Sequence, residues 1–348
     1  MQGRDCGVAA HSAGKKPSPN VPLVNSVSGN VTQSINEKAP VAILLSTYNG
    51  ERYLQEQLES ILNQSYQNWQ LLWRDDGSSD RSREIMGAFA DRVGHVRCAE
   101  LGPRDLRLGS AKSFFALLRA AEGYPLVAFA DQDDVWLSDK LQRAAECLIE
   151  ERHGVPALYC ARQSIVGEHL ERRGLSPLPR FGPGFPSALL QNIVTGCTAM
   201  LNQEAVRLVN SVPPPDKTVH DWWSYIVVTA AGGHVIFDPT PVTLYRQHGH
   251  NAIGAVSSVV PRALRAFRRG ATPFLRQLEE HVVALEESGE VLAPSARMAI
   301  QKIRHALSGG RMARIALMRE AGFRRQTRLE NLGMTMWMLA KYSPKNGR

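Results

Sequence analysis

Three carboxylates follow an apolar run in the middle of the chain. The run Leu126 to Ala130 leads directly into Asp131, Asp133 and Asp134. Because like charges this close repel one another, such a cluster persists where a cation offsets it. Hard divalent cations such as Mg²⁺ or Mn²⁺ take oxygen ligands and also bind phosphates. The alternative for this stretch is a surface loop that caps a helix, with Asp134 and Asp139 as the capping candidates.

Two earlier apolar runs also end in polar loops. Residues 41–45 lead into STYNG at 46–50, where the ring of Tyr48 could stack on a nucleobase. Residues 69–73 lead into RDDGSSD at 74–80, where a carboxylate could accept hydrogen bonds from a base or a ribose. Taken alone, the second loop is better explained as a turn that caps the following helix. The three loops together indicate a single binding site.

Helical patterns separate these apolar runs. The first helix is indicated by apolar residues at helical spacing, which are Tyr53, Leu54, Leu58, Ile61 and Leu62. A second helix begins at Asp80, and a short strand near His95 to Cys98 precedes a helix from about Ala111 to Glu122. Alternating strands and helices predict an α/β fold with a mostly parallel, Rossmann-like sheet and helices on both faces. Ligands of such sheets bind beyond the carboxyl ends of the strands, so the three loops are predicted to share one edge.

The pattern loosens beyond residue 150. The stretch from Leu175 to Pro186 is rich in Pro and Gly and predicts a mobile loop. Strands are predicted at Asn192–Met200, Val235–Phe237 and Val242–Tyr245, and helices at His220–Ala231 and from about Val259 onward. A polar loop from Arg246 to Asn251 follows the last of these strands.

Five stretches of the chain, in this order and spacing, resemble family 2 glycosyltransferases of the GT-A fold. They are STYNG at 46–50, DDGSSD at 75–80, DQDDVW at 131–136, HDWW at 220–223 and YRQHG at 245–249. The likeness covers about residues 40–252. Within the family, the third and fifth stretches are similar to the rhamnosyltransferase-like branch.

The resemblance implies a role for each of these stretches. The donor nucleotide-sugar would contact Thr47, Tyr48, Asn49, Asp75, Asp76, Asp131 and Arg246. Of these, Asp76 beside Asp75 would hold a pyrimidine base, Asp131 the ribose and Arg246 the phosphates. Mg²⁺ or Mn²⁺ would bind Asp133 and His248, although a phosphate contact is the other option for His248. Asp221 would be the general base, and Trp222 and Trp223 would either stack on the acceptor or pack inside the protein.

The implied reaction is a single displacement with inversion at the anomeric carbon. A hexosyl or deoxyhexosyl group, with rhamnose from dTDP-rhamnose as a candidate, would pass to a saccharide or lipid-linked acceptor in cell-surface polysaccharide synthesis. One position departs from the branch, where an Asn precedes Phe at the start of the helix after Gly109. Here Ser113 precedes Phe114, and Lys112 lies close enough in sequence to compensate.

Two other classes of protein fit parts of the sequence. The run from Phe129 to Val135 also matches haloacid-dehalogenase-like phosphatases, in which Asp131 would be the nucleophile. That reading leaves the two earlier loops unexplained. A basic nucleic-acid-binding protein is the second alternative, but the aromatic residues near the end are too sparse for base stacking. We therefore expect no nucleic-acid partner.

The charge distribution divides the chain. Its net charge is +8, whereas residues 255–348 alone hold 17 lysines and arginines against 7 acidic residues. We predict a disordered leader over 1–39, a GT-A catalytic domain over 40–252 and a basic helical segment over 253–348. The odd number of scattered cysteines and the lack of a long apolar run favour the cytoplasm. The mixture of apolar and basic residues over 298–328 predicts either peripheral contact with the inner face of the membrane or packing on the catalytic domain.

Overall fold

The computed structural model describes residues 38–103, 106–151, 154–249, 270–340 and 342. Nine strands in this part of the chain form one mixed sheet. They are β1 (Val41–Thr47), β2 (Trp69–Asp75), β3 (Cys98–Glu100), β4 (Leu126–Ala130), β5 (Val135–Trp136), β6 (Ala157–Val166), β7 (Arg172–Leu175), β8 (Met200–Asn202) and β9 (His234–Arg246). Their order across the sheet is β3-β2-β1-β4-β8-β6-β9-β5, and β7 pairs with β6.

Helices connect and cover these strands. They are α1 (Glu51–Leu62), α2 (Ser82–Val93), α3 (Ser110–Ala120), α4 (Lys140–Ile149), α5 (Ser187–Leu190), α6 (Gln203–Ser211), α7 (His220–Ala230), α8 (Ala271–Glu287), α9 (Pro294–Ser308), α10 (Gly310–Leu317) and α11 (Arg328–Leu339). No helix in the described ranges is both long and apolar enough to cross a bilayer.

The first half of the sheet is parallel, as the sequence predicts. Strand β1 lies between β2 and β4 and runs parallel to both. In this register Leu45 is beside Trp73 on one side and Ala130 on the other. The carboxyl ends of the three strands therefore meet at one edge, which confirms the shared position of the polar loops.

These strands are buried on both faces, which explains their continuous apolar sequences. Along β1, Ile43 and Leu45 belong to one hydrophobic cluster, whereas Ala42 and Leu44 belong to the cluster on the opposite face. This alternation follows from the two-residue period of a strand. The cysteines among the described residues, including the fully buried Cys160, are free thiols.

Two predictions for the second half of the sheet are wrong. The strands predicted at 235–237 and 242–245 form one strand, β9. Pro239 and Pro241 interrupt the apolar pattern because they lack an N–H group, and β9 accommodates them through register shifts against β6 near Arg162. The strand predicted at 192–200 is mostly a loop with a short 3₁₀ helix, Gly196–Thr198. This loop contributes backbone groups to the site described below.

The carboxyl-terminal helices pack on the same core as the sheet. The stretch predicted as one helical run over 298–328 is divided into α9 and α10 at Gly309, and an irregular segment follows α10. Its apolar residues are mostly buried in the cluster that includes β4, namely Ile300, Ile303, Leu307, Leu317 and Phe323. Residues 1–37 and the predicted boundary at 252 lie outside the described residues.

Substitution of a leucine on α8 tests this shared core. Leu285 is fully buried, so Leu285→Ala should lower the free energy of unfolding by about 2–5 kcal/mol. The matched control is Leu332→Ala on α11, where the side chain is 60% exposed and the change should stay within about 0.5 kcal/mol. Urea denaturation measures both. Equal losses for the two variants would contradict the burial of α8 in the hydrophobic cluster that it shares with the sheet.

Candidate active site

The first two loops of the predicted site are joined by hydrogen bonds. Asn49 has a positive φ of 47°, and its side-chain oxygen accepts a bond of 2.8 Å from the backbone N–H of Ser79. Asp80 accepts bonds of 2.9 Å from the N–H groups of Glu51 and Ser82, which begin α1 and α2. One carboxylate thus accepts the first N–H group of two helices, although the residue directly before α2 is Arg81 and not Asp80.

The third loop is attached to the first through Gln132. Its amide accepts a 2.8 Å bond from the backbone N–H of Tyr48 and donates a 3.0 Å bond to the Tyr48 carbonyl. Glycine at position 50 makes room for this amide, because a Cβ there would lie 2.4 Å from its oxygen. Gln132 and Gly50 were missed as site residues by the sequence analysis, although both lie within the motifs.

Asp75 and Asp76 are buried and fully engaged by the protein. Asp75 accepts bonds from Thr47, Ser78 and Arg83. Its neighbour Asp76 contacts a different set, consisting of the Arg74 guanidinium at 2.6 Å, the N–H groups of Leu108 and Gly109 at 2.6 and 2.8 Å, and the Ser113 hydroxyl at 3.1 Å. Burial alone would raise the pKa of Asp76, but these bonds outweigh it and hold the pKa below its usual value.

The loop before α3 therefore lies against the predicted base site. Arg107 in this loop lies over the ring of Tyr48, 4.2 Å from its centroid. Ser113 takes the place of the family's Asn and faces Asp76 directly. Lys112 does not compensate, because its ammonium is largely exposed and pairs with Asp216 at 3.5 Å.

Four of the predicted site residues, Asp131, Asp133, Asp221 and His248, come together at this edge. His248 Nε2 lies 2.8 Å from Asp133 Oδ2, and both side chains are mostly covered. Burial, and then the nearby carboxylates of Asp133 and Asp221, raise the pKa of Asp131 to about 7. The carboxylates at this edge thus carry more negative charge than the basic side chains beside them neutralise.

Arg246 lies in the interior rather than at the surface of the site. Its side chain is 1% exposed and donates to the backbone carbonyls of Asp133 and Glu168 and to the carboxylate of Glu56. Its own backbone N–H donates a 3.0 Å bond to Asp134. Arg246 therefore positions the acidic loop, and the predicted phosphate contact has no support from this geometry.

Asp221 is the second residue of α7, and the residue is partly exposed. It accepts bonds from the N–H groups of Gly196, at 2.9 Å, and Trp222, at 2.6 Å. Burial raises the pKa of Asp221 to about 6, and these bonds oppose the rise only in part. Position 196 favours glycine, because a Cβ there would lie 2.8 Å from His220 Nε2. Gly196 is another residue that the sequence analysis missed.

The two tryptophans have different environments. Trp223 is fully buried, and its indole N–H donates to the Val212 carbonyl at 3.1 Å. Trp223 is therefore a packing residue, which corrects its predicted contact with the acceptor. Trp222 is partly exposed and donates to the Ala188 carbonyl at 2.7 Å, so it can still face an acceptor.

A buried layer supports the acidic loop from below. Asp134 is completely buried; its Oδ1 accepts a hydrogen bond from the backbone N–H of Arg246, and its Oδ2 has no hydrogen-bond partner among the described residues. The Lys140 ammonium is also buried and lies 3.5 Å from the Trp136 ring centroid, without a hydrogen-bond partner among the described residues. Burial lowers the pKa of Lys140 to about 7. Lys140 was not predicted, because only the folded chain shows that this lysine of α4 points inward.

The sequence of this chain is similar to known families and proteins. Residues 42–209 match the family described as Glycosyl transferase family 2. The chain is 27% identical over 221 residues to the dTDP-rhamnosyl transferase RfbG of Shigella flexneri, covering 61% of this chain and 74% of that protein. It is 26% identical over 193 residues to WfgD of Escherichia coli, covering 54% of this chain and 69% of that protein. WfgD is described as a UDP-Glc:alpha-D-GlcNAc-diphosphoundecaprenol beta-1,3-glucosyltransferase.

A solved structure agrees with the fold. Residues 1–349 of Staphylococcus aureus TarS, in complex with UDP-GlcNAc, give a TM-score of 0.53 at 16% identity, covering 71% of this chain and 66% of that one. Residues 42–209 therefore form a family 2 glycosyltransferase domain, and the chain has the GT-A fold, as the motifs predicted.

Gly50→Ala tests the clamp between Gln132 and Tyr48. The added methyl should displace the Gln132 amide and break two hydrogen bonds, each worth about 1 kcal/mol. We expect about tenfold weaker nucleotide-sugar binding with little loss of stability, because a flexible side chain can move aside. Calorimetric titration and thermal unfolding measure the two effects. The control is Gly87→Ala in α2, where a Cβ meets nothing within 4 Å and binding should be unchanged. Unaltered binding by the Gly50 variant would show that the clamp has no role in the donor site.

Proposed function

We propose that this protein is an inverting, metal-dependent glycosyltransferase that uses a pyrimidine nucleotide-sugar in cell-surface polysaccharide synthesis. The observation that carries the proposal is the meeting of Asp131, Asp133, Asp221 and His248 at the sheet edge that also holds the two nucleotide loops. Fold and family alone support the transferase class. The charge and position of these four side chains support the particular chemistry.

Asp221 is proposed as the general base. This residue is partly exposed at the start of α7, whereas Asp75, Asp76 and Asp134 are buried and engaged by the protein. A pKa of about 6 leaves it ionised at neutral pH yet more basic than an ordinary aspartate. It can then remove the proton of an acceptor hydroxyl while that oxygen attacks the anomeric carbon. The carbon's bond to the diphosphate oxygen breaks in the same step, with inversion.

Asp133 and His248 are proposed as the metal ligands. The residues fit such a role, because three carboxylates crowd this edge and the neighbours of Asp131 raise its pKa. When bound, Mg²⁺ or Mn²⁺ supplies positive charge that stabilises the departing diphosphate.

A neighbouring group of possible ligands fits a metal less well. Asp131, Asp134 and Cys197 have ligand atoms within 4.8 Å of one another. However, burial raises the pKa of Cys197 well above its usual value and keeps its thiol protonated, and Asp134 is completely buried and accepts the backbone N–H of Arg246. We therefore assign a structural role to Asp134 and Cys197, and we propose that Asp131 contacts the donor.

The nucleotide contacts are proposed from the rim residues. Tyr48, 38% exposed, offers a ring for stacking, while Thr47, Asn49, Asp75 and Asp76 shape the loop that faces the base. Movement of Arg107 away from Tyr48 would open the stacking face. The names of the relatives include dTDP-rhamnose and UDP-glucose, both pyrimidine nucleotide donors, so we propose this class, with dTDP-rhamnose as the first candidate.

A lipid-linked saccharide is the proposed acceptor. WfgD, one of the relatives, is named for a diphosphoundecaprenol-linked acceptor. Trp222 is the aromatic side chain beside Asp221 that remains partly exposed and could contact a sugar ring. We propose that the protein acts in the cytoplasm, at the inner face of the membrane that holds such acceptors.

Removal of the Asp133 carboxylate tests the metal site. Asp133→Ala should reduce transfer by about 10²-fold or more, because the diphosphate loses charge stabilisation. Chelation by EDTA should silence the wild type, and added Mg²⁺ or Mn²⁺ should restore it. Asp139→Ala, which removes a half-exposed carboxylate from the same loop, is the control and should keep normal activity. Full wild-type turnover in EDTA would contradict the proposed metal.

The general base is tested by substitution and by pH. Asp221→Asn preserves size but cannot take a proton, so kcat should fall by about 10²-fold or more while donor binding stays unchanged. Wild-type kcat/KM should rise with pH up to about 6, since only the ionised carboxylate accepts a proton. The control is Asp216→Asn in the exposed loop before α7. Normal turnover by the Asp221 variant would remove this residue from the mechanism.

A further inference from the structure

Helix α11 exposes a stripe of apolar side chains. Every residue of this helix is described, and its exposed positions are Arg328, Leu329, Leu332, Met336 and Leu339. The four apolar residues are 47%, 60%, 53% and 37% exposed, in that order. At 3.6 residues per turn their spacing places them within an arc of about 80°. We name these four residues the α11 stripe.

The rest of the helix is firmly held, so the stripe is not an unfolded end. Glu330, Met334, Trp337 and Met338 are buried on the opposite side. Thr327 and Glu330 form a reciprocal capping box at the start of the helix. Arg314 of α10 donates to the carbonyls of Met338 and Ala340 at its end. Buried contacts and hydrogen bonds at both ends thus hold in place a helix whose outer face is apolar.

The charged residues of α11 and of the segment just before it are mostly positive. Residues 321–340 contain three arginines, Arg324, Arg325 and Arg328, but a single acidic residue, Glu330. Because Glu330 is buried in the capping box, it offers little negative charge to the surface. An apolar face with a basic surround is the pattern of helices that lie in the interface of an anionic membrane.

The same charges argue against other occupants. Residues 251–269 contain four arginines and no acidic residue, so this part of the chain would be repelled from the stripe. A second copy of the protein would bring an equally basic surround. Nucleic acid would match the charge but would leave the leucines without an apolar partner.

We infer that the α11 stripe is a docking face for the surface of an anionic lipid bilayer. Its four apolar side chains enter the headgroup region, and Arg328 and the basic residues around the helix pair with lipid phosphates. This surface differs from the one predicted at 298–328, whose apolar residues are mostly buried.

A chain of contacts connects this face to the catalytic base. Gln191 donates to Glu330 at 3.1 Å and accepts from the backbone of Gln326 at 2.9 Å. The next residue, Asn192, lies close enough to Asp221 to lower the pKa of that carboxyl. A bilayer on α11 would therefore contact an element that is tied to the active-site wall, a consequence that rests on the proposed function and its lipid-linked acceptor.

Sedimentation with vesicles tests the docking face on the full chain. The double variant Leu332→Gln with Met336→Gln removes the two most exposed stripe residues without disturbing the buried side of α11. We expect it to lose about tenfold or more of the wild type's binding to phosphatidylglycerol vesicles at low salt. The matched control is Met298→Gln with Met312→Gln, which removes two methionines that are 59% and 76% exposed and lie outside the stripe. This control should bind like the wild type.

Three results would overturn the inference. The wild type could ignore phosphatidylglycerol vesicles, or the stripe variant could bind them as well as its control, which would assign binding to another basic surface. A concentration-dependent dimer that only the stripe variant loses would assign the stripe to a second copy of the chain. Donor hydrolysis without vesicles is measured in parallel. Its absence in a vesicle-binding protein would reject the proposed function and leave the docking face intact.

Discussion

Crowded negative charge at one edge of the sheet is the constraint on which the rest of this structure depends. Parallel strands β1, β2 and β4 end together, so their acidic loops meet. In an interior of low dielectric, uncompensated carboxylates are costly. Much of the surrounding sequence therefore supplies donors to them, including Arg74, the backbone before α3 and the hydroxyl of Ser113.

The carboxylates divide into two groups according to how fully the protein satisfies them. Asp76 and Asp80 accept several hydrogen bonds each, and these bonds hold their pKa values below normal despite burial. They organise loops and helix ends. Asp131 and Asp221 have raised pKa values instead. Burial outweighs the bonds that Asp221 receives, and for Asp131 burial acts together with the nearby carboxylates of Asp133 and Asp221. Reactive groups are expected among the second kind, which remain able to exchange a proton or contact a ligand.

The carboxyl-terminal helices complete the catalytic half of the molecule. His281 of α8 is buried between Thr218, with which it hydrogen-bonds at 3.1 Å, and the rings of Trp222 and Trp223. It thus supports the start of α7, where Asp221 lies. No sequence signal connects residues 60 positions apart in this way. Gln191 also donates a hydrogen bond to Glu330 of α11. Together these contacts make the basic carboxyl-terminal segment part of the wall of the candidate active site.

The sequence by itself determined the parallel strands, the polar loops at their ends and the family, because these depend on short runs of residues whose period and end points are local. It placed the loop that holds Asp131 and Asp133 correctly at the edge shared with the two earlier loops, whereas only the tertiary structure brings Asp221 and His248 to that edge. Only the tertiary structure decided which polar residues are buried. Arg246 and Lys140 turn inward, and Leu332 remains outside, because neighbours distant in sequence cover some side chains and leave others exposed.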